Sequence, residues 1–306
     1  MSGAWAVPGP RALVEAVRLW RVAVPLRQPF DAAHGVTAVR HSVLVEVLGS
    51  ESRGWGECAA LSRPTYTGEW VDGAWCVLRD ELVPALLAGR PSRVRGHPMA
   101  GAAVEAAVAD ASLRGDGRSL VDAIGAQRRA LERVRVIGGQ GSPEAALAAV
   151  ARALEAGCAG VKLKVDRTSA RAVTAEVRAA HPGLYLAVDA NGSFAGAEPA
   201  ELAWADEARL AYLEQPLAPD DLVGHARLAA ALATPVALDE ALGTPGLVLA
   251  ALALGAADVV SVKPARLGGL GAAAEVLEAC AARGVDAFCG GMLELGVGRA
   301  AAAAVA

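Results

Sequence analysis

The stretch Leu184-Tyr-Leu-Ala-Val-Asp189-Ala-Asn191 is an apolar run that ends in polar side chains. A proline and a glycine precede the run, and a glycine follows it. Short β-branched runs between such turn signals are typical of strands that are buried on both faces of a parallel sheet. We therefore expect a buried strand here, with Asp189 at its carboxyl end.

The same pattern recurs along the chain at a nearly constant interval. The charged residues that end five successive runs are Lys164, Asp189, Glu214, Asp239 and Lys263, at spacings of 25, 25, 25 and 24 residues. A strand, a helix and two short loops fill about that length. Equal spacing places these residues at the same point of consecutive βα units. In a (β/α) barrel that rim carries the chemistry.

From about Arg133 onward, short β-branched runs alternate with alanine-rich helical stretches, which indicates parallel βα units and an α/β fold. The predicted strands are 134–137, 160–165, 184–188, 211–214, 234–239, 258–263 and 285–289. The predicted helices include 143–156, 168–180, 199–208 and 270–283.

The first third of the chain predicts a different architecture. Residues 15–24 and 41–48 are rich in valine and leucine, and a turn-like segment separates the second run from Gly54-Trp-Gly-Glu57, which favours an antiparallel meander. Residues 68–88 and 101–113 carry apolar side chains at helical spacing. We expect an α+β domain over residues 1–128 and a (β/α) barrel over residues 129–306.

Three of the residues in register are carboxylates on adjacent predicted strands: Asp189, Glu214 and Asp239. Like charges a few ångströms apart cannot all stay ionised without compensation, and a bound divalent cation supplies it. The donors are all oxygen, which favours a hard ion over Zn²⁺ or Cu²⁺. We expect Mg²⁺, for which Mn²⁺ can substitute.

Lys164 and Lys263 flank the carboxylates and would present one amine to each face of a substrate. Removing a proton next to a carboxylate gives an enediolate with two negative charges, which a metal ion stabilises. A lysine with cationic neighbours can act as the base. A single lysine at a strand end is usually a solvated or paired residue, but five polar residues in register favour a catalytic site.

Three more residues lie close to these positions in the chain. Lys162 points to the same side of its strand as Lys164, where it either makes Lys164 easier to deprotonate or forms a salt bridge at the barrel end. Asn191 and Glu240 are candidates for supporting groups. An Asn-Gly pair is also ordinary turn chemistry, and a Glu240 that faces a helix is equally open.

The glycine-rich segment Gly290-Gly-Met-Leu-Glu-Leu-Gly-Val-Gly-Arg299 follows the seventh predicted strand and leads into an alanine-rich helix. Its backbone N–H groups suit an anionic group. Gly291, Met292 and Glu294 are therefore substrate-binding candidates.

Composition narrows the class of partner. The formal net charge is -4 and no basic block is interleaved with aromatic residues, so nucleic acid is not expected. The longest uncharged stretch, near residues 247–257, is shorter than the roughly 18 apolar residues of a membrane span. The N-terminus lacks a secretory signal, and five scattered cysteines suit reduced thiols. We expect a cytoplasmic protein that acts on a small molecule, with homo-oligomerisation left open.

As an ordered set, Lys-Leu-Lys164, Asp189-Ala-Asn191, Glu214-Gln-Pro216, Asp239-Glu240, Lys263-Pro and Gly290-Gly-Met-Leu-Glu resemble the muconate-lactonising subgroup of the enolase superfamily. Within it, the glycine-rich segment and Gly54-Trp-Gly-Glu-Cys58 look like the o-succinylbenzoate synthase/N-acylamino acid racemase family. The match runs from about Arg18 to the last residue.

This resemblance implies an enolase-like barrel and a capping domain whose loops near residues 27–30 and 60–68 close over a carboxylate substrate. It also implies a magnesium-dependent hydro-lyase that dehydrates a cyclohexadiene carboxylate to 2-succinylbenzoate in menaquinone biosynthesis. Lys164 would be the base and then the acid, with Lys263 stabilising the enediolate. The alternatives are an N-acylamino acid racemase or dipeptide epimerase, in which both lysines exchange protons, and an inactive truncated scaffold.

Two features depart from the family pattern. Leu295 stands where the family usually has threonine after the glutamate, a difference that would alter the pocket near the substrate. The chain ends at Ala306 in an alanine-rich helix, before the eighth strand of the family. We therefore expect a C-terminally truncated barrel with an open edge.

Overall fold

A computed structural model of the chain describes residues 14–32, 35–50, 52–126, 130–138 and 142–306. Two predictions lie outside these ranges. One concerns the N-terminal residues and the absence of a secretory signal. The other is the domain boundary between residues 128 and 129.

The N-terminal strands form an antiparallel meander, as predicted. Its order is β1 (Val14–Ala32), β2 (Gly35–Gly49) and β3 (Arg53–Cys58). Strand β1 is longer than expected, so the expectation of a loop at residues 27–30 is wrong. Its pairing with β2 does shift register between Pro25 and Phe30. Pro25 and Pro29 have no N–H to donate, which breaks the ladder without ending the strand.

The helices of this domain are α1 (Val71–Val77), a π-helical turn (Leu78–Leu82), α2 (Val83–Leu87), α3 (Pro98–Gly115) and α4 (Leu120–Ala123). They confirm both predicted helical segments. Strand β3 packs directly on the backbone of α3. A Cβ atom at Gly56 would lie 1.9 Å from the carbonyl oxygen of Ala103, and one at Gly54 would lie 2.1 Å from that of Ala107. Only glycine permits this approach.

The rest of the chain forms a curled, seven-stranded parallel sheet, which confirms the α/β prediction. Its strands are β4 (Val134–Ile137), β5 (Gly160–Lys164), β6 (Tyr185–Asp189), β7 (Leu213–Glu214), β8 (Val236–Leu238), β9 (Val259–Val262) and β10 (Asp286–Cys289). They lie in strict chain order, with β4 and β10 at the two edges. Each strand coincides with a predicted one.

Helices follow the strands: α5 (Pro143–Glu155), α6 (Ala170–Ala180), α7 (Trp204–Glu207), α8 (Leu222–Ala231), α9 (Pro245–Leu254), α10 (Pro264–Leu267), α11 (Leu270–Ala281) and α12 (Gly296–Val305). The region predicted as one helix over 199–208 is instead a 3₁₀ turn (Pro199–Leu202) followed by α7. The turn starts with a reciprocal capping box between Glu198 and Glu201, which closes a separate short turn before α7.

Two apolar cores hold the fold together. The larger core fills the space between the parallel sheet and its helices, with Leu163, Leu186, Leu213 and Leu238 at most 1% exposed. The smaller core lies between β2, β3, α1 and α3, and it includes Met292 from the C-terminal part of the chain. The two domains are therefore joined by shared packing. Within the described ranges, no helix is long and apolar enough to span a membrane.

Candidate active site

The parallel sheet brings all five residues of the 25-residue register to one end. Lys164, Asp189 and Glu214 are the last residues of β5, β6 and β7, whereas Asp239 and Lys263 directly follow β8 and β9. Lys164 pairs in register with Asp189, and Asp189 with Glu214. The predicted rim is present.

Lysine ammonium groups face two of the three carboxylates from the β5 side. The Nζ atom of Lys164 donates to Oδ2 of Asp189 at 2.7 Å and to Oδ1 of Asn191 at 2.6 Å. Lys162 donates to Glu214, so it forms the salt bridge that was one of its two expected roles.

On the other flank, Nζ of Lys263 donates to Oδ2 of Asp239 at 2.7 Å. The chain contains three lysines in all, at positions 162, 164 and 263. Each of the three carboxylates therefore has a lysine partner, and every lysine of the protein lies at this site.

Burial and mutual repulsion set the charge balance of the carboxylates. Glu214 is 1% exposed, and burial together with Asp189 and Asp239 raises its pKa, against the opposing effect of Lys162. Burial also acts to raise the pKa of Asp239, but Arg266 and Lys263 outweigh it and hold that pKa below its usual range. The cluster is thus a set of interacting anions that depends on cations.

Two residues that the sequence analysis missed complete the Lys263 side. Tyr66 donates its phenol hydrogen to Oδ2 of Asp239 at 2.8 Å and accepts from Lys263 at 2.7 Å and from Arg266 at 2.6 Å. Arg266 also pairs with Oδ1 of Asp239 at 2.9 Å. Arg266 follows Lys263 by three residues, a helical spacing that would have indicated it. Tyr66 comes from the other domain and has no such signal.

The predicted supporting residues lie on the Lys164 side. The Nδ2 atom of Asn191 donates to Oε1 of Glu240 at 2.8 Å, so Asn191 links Lys164 to Glu240. Gln215, which was not predicted, accepts from the backbone N–H of Asp239 and of Ala241, both at 3.1 Å. It therefore fixes the loop after β8.

The glycine-rich segment also reaches the site. Gly290 adjoins Lys263, since a Cβ atom there would lie 2.8 Å from Cε of Lys263. Met292 is 4% exposed and packs in the smaller core, whereas Oε2 of Glu294 pairs with Arg299 at 2.8 Å. Substrate contacts by Gly291, Met292 and Glu294 stay predictions.

The donor chemistry suits a hard divalent cation. Asp189, Glu214 and Asp239 supply buried carboxylate oxygens on adjacent strands, and Oε2 of Glu240 has no hydrogen-bond partner in the described part of the chain. As they stand, the side chains face ammonium groups. Among the described residues no group of three or more His, Cys, Asp or Glu is arranged to hold a metal ion.

The chain is similar to known enzymes. The family model described as "Enolase C-terminal domain-like" matches residues 145–306. An N-succinylamino acid racemase from Amycolatopsis is 36% identical over 307 residues, which cover 96% of this chain and 83% of that protein. An o-succinylbenzoate synthase from Geobacillus stearothermophilus is 37% identical over 298 residues, which cover 94% and 80%.

Solved structures agree with the sequence relatives. The crystal structure of an enolase superfamily member from Listeria innocua superposes with a TM-score of 0.89 at 34% identity. The match covers 94% of this chain and 81% of that chain. The whole arrangement of both domains is therefore shared.

Proposed function

Because the chain belongs to the enolase superfamily, within the family of o-succinylbenzoate synthases and N-succinylamino acid racemases, we propose that it removes a proton next to the carboxylate of a small molecule. Our first choice of reaction is the dehydration that yields 2-succinylbenzoate for menaquinone biosynthesis, which makes the enzyme a hydro-lyase. The observation that carries the proposal is the position of Lys164 and Lys263. The two lysines lie at the same rim of the sheet, with the three strands that carry the carboxylates between them.

Each lysine has a distinct part in this reaction. Lys164 takes the proton from the carbon next to the substrate carboxylate and then returns it to the departing hydroxyl, so that water leaves and the ring becomes aromatic. Lys263, from the opposite flank, stabilises the enediolate by its positive charge. Asn191 orients Lys164 through its 2.6 Å contact.

Asp189, Glu214 and Asp239 are the residues that would hold Mg²⁺, or Mn²⁺ in its place. When bound, the cation supplies positive charge that stabilises the enediolate. The support for this assignment is the all-oxygen donor set, its burial and the raised pKa of Glu214. A cytoplasmic location belongs to the same proposal.

A second candidate reaction is racemisation or epimerisation of an N-acylated amino acid or dipeptide. The near symmetry of the site favours this reaction, because the Nζ atoms of Lys164 and Lys263 each lie 2.7 Å from a carboxylate oxygen at the end of a neighbouring strand. In that reaction one lysine removes the α-proton and the other delivers a proton to the opposite face. An inactive scaffold is less favoured, since all five rim residues meet.

The direct test is turnover of the cyclohexadiene carboxylate by the purified chain, with and without Mg²⁺. We expect metal-dependent formation of 2-succinylbenzoate that Lys164→Ala abolishes. Arg135→Ala, on β4 of the same sheet, is the control that should retain turnover. Exchange of the α-proton of N-succinylamino acids in D₂O, without dehydration, would favour the racemase. If folded protein carries out neither reaction, the proposed function is contradicted.

A further inference from the structure

The first turn of α12 is capped by a residue of the other domain. Glu57 on β3 accepts the N–H of Leu295 through Oε1 and the N–H of Gly298 through Oε2, both at 2.8 Å. Residue Leu295, at the N-cap, makes no side-chain cap of its own. A carboxylate satisfies the unpaired donors of a helix N-terminus and complements its dipole. Glu57 therefore fixes where α12 begins.

A second anchor lies just before this helix. Arg40 on β2 is 1% exposed, and its guanidinium donates to the carbonyl of Leu293 at 2.9 Å. The same group donates to the carbonyls of Ala59 and Ala60, both at 2.7 Å. Leu293 has a φ of 57°, a left-handed conformation that is costly for leucine. The contact with Arg40 helps to hold it there.

Between these anchors and β10, the chain passes against Lys263. A Cβ atom at Gly290 would lie 2.7 Å from Oγ of Ser261 and 2.8 Å from Cε of Lys263. The backbone of Gly290 is thus in close contact with the aliphatic part of the Lys263 side chain. Lys164 differs, because its described side-chain hydrogen bonds go to Asp189, the last residue of β6, and to Asn191 in the turn that follows it.

We propose that Arg40 and Glu57 are positioning residues that act on Lys263 and leave Lys164 unaffected. They anchor Leu293, Leu295 and Gly298 to the N-terminal domain. The chain between these anchors and β10 includes Gly290, whose N–H donates to the carbonyl of Val262 at 2.8 Å and whose backbone confines the Lys263 side chain beneath it. The N-terminal domain thereby determines where one of the two amines lies. The catalytic consequence rests on the proposed function, whereas the effect on the Lys263 side chain does not.

The test uses the fact that the chain has three lysines. In protein labelled with ¹³C at lysine Cε, each of the three side chains gives its own Cε carbon signal, assigned from single lysine substitutions. We expect Arg40→Met and Glu57→Gln to shift and broaden the Lys263 signal while the Lys164 signal stays in place. Arg53→Met, on β3 with a side chain 63% exposed, is the matched control and should move none.

Two results would overturn the proposal. One is an unchanged Lys263 signal in a folded variant, and the other is an equal change at Lys164 and Lys263, which indicates general loosening. Glu57→Gln keeps one acceptor oxygen for α12, so it provides the comparison if Arg40→Met does not fold.

The catalytic consequence is tested by α-proton exchange of the two enantiomers of an N-succinylamino acid in D₂O. Lys263→Ala identifies the enantiomer that depends on Lys263. We expect Arg40→Met to slow exchange of that enantiomer by about 10- to 100-fold, mainly in kcat, and to spare the other. Equal loss for both enantiomers would contradict selective positioning. If the unaltered protein exchanges neither, the racemase candidate fails, turnover of the cyclohexadiene carboxylate still tests the dehydratase, and the lysine signals still decide the positioning role.

Discussion

The phenol oxygen of Tyr66 lies 2.7 Å from Nζ of Lys263, although 197 positions of sequence separate them. Burial and the nearby Asp239 raise the pKa of Tyr66 well above its usual value, so the phenol keeps its proton at neutral pH. It therefore donates to Asp239 while it accepts from Lys263. The N-terminal domain supplies a group of the active site directly.

Tyr66→Phe removes this hydroxyl and leaves the ring in place. We expect kcat to fall about 10- to 100-fold, because hydrogen bonds to charged groups are worth about 1.5–3 kcal/mol. The measurement is steady-state kinetics on whichever substrate the wild-type protein turns over. Tyr185→Phe, in a tyrosine 47% exposed on β6, is the control. An unchanged kcat would show that the contact has no part in catalysis.

Magnesium should stabilise the folded protein. Binding to the native state alone raises the unfolding free energy by about 2.7 kcal/mol at a metal concentration 100 times Kd. We expect Mg²⁺ to raise the Tm of the wild-type chain, and Asp189→Asn to remove that rise. Glu275→Gln, on an exposed face of α11, should respond as wild type does. A Tm that is insensitive to Mg²⁺ and Mn²⁺ would contradict the metal assignment.

Lys162 offers a separate check on the metal ligands. Its ammonium pairs with Glu214, so metal and lysine compete for that carboxylate. Lys162→Met removes the competitor and leaves the buried Glu214 without its cation, beside carboxylates that raise its pKa. We expect a less stable protein in the absence of metal and a larger rise of Tm with Mg²⁺ than in wild type. A smaller rise would mean that Lys162 supports the metal site.

The spacing of charged residues predicted the rim because parallel strands present their carboxyl ends at one edge. Repeated units of 24 or 25 residues therefore bring Lys164 and Lys263 to the same site without any knowledge of tertiary contacts. Helix caps are equally local, because the capping side chain lies next to the helix that it caps. Ser142 and Thr244, for example, cap α5 and α9 from within their own segments.

The contacts between domains could not be predicted in this way. Arg40 and Leu293 are 253 residues apart, and Glu57 and Leu295 are 238 apart, so no periodicity relates them. The extended conformation of residues 27–30 was missed for another reason. The family resemblance implied a loop there, but pairing with β2 on both sides carries the strand through a register shift. Long-range pairing of this kind leaves no local signal in the sequence.

Gly56 provides a test of the packing between β3 and α3. Gly56→Ala places a methyl group against backbone that cannot move independently, since its Cβ atom would lie 1.9 Å from the carbonyl oxygen of Ala103. Overpacking of this kind costs about 1–3 kcal/mol or more. We expect a lower urea midpoint for unfolding of the N-terminal domain.

Gly101→Ala is the matched control, because Gly101 lies in α3 and nothing falls within 4 Å of an added Cβ atom. Alanine is favoured over glycine in helices by about 1 kcal/mol, so this variant should be more stable than wild type. Equal loss of stability in both variants would show that close approach is not the reason for Gly56.

The buried His225 predicts a pH dependence of stability. It is fully buried, its Nε2 atom accepts the N–H of Leu217 at 3.2 Å, and its Nδ1 atom lies 2.7 Å from the carbonyl oxygen of Asp221. Burial lowers its pKa below 6.5, so the unfolded chain binds a proton more readily. The stability that the neutral, buried imidazole contributes is present above pH 6.5 and is lost as the pH falls through the folded-state pKa.

The variant His225→Gln should therefore lose less stability than wild type between about pH 7 and pH 5. The difference is about 1.4 kcal/mol for each unit by which the pKa of His225 differs between the folded and unfolded states. Urea unfolding at each pH measures the difference, with the exposed His41→Gln as control, and parallel pH profiles for wild type and His225→Gln would contradict the prediction.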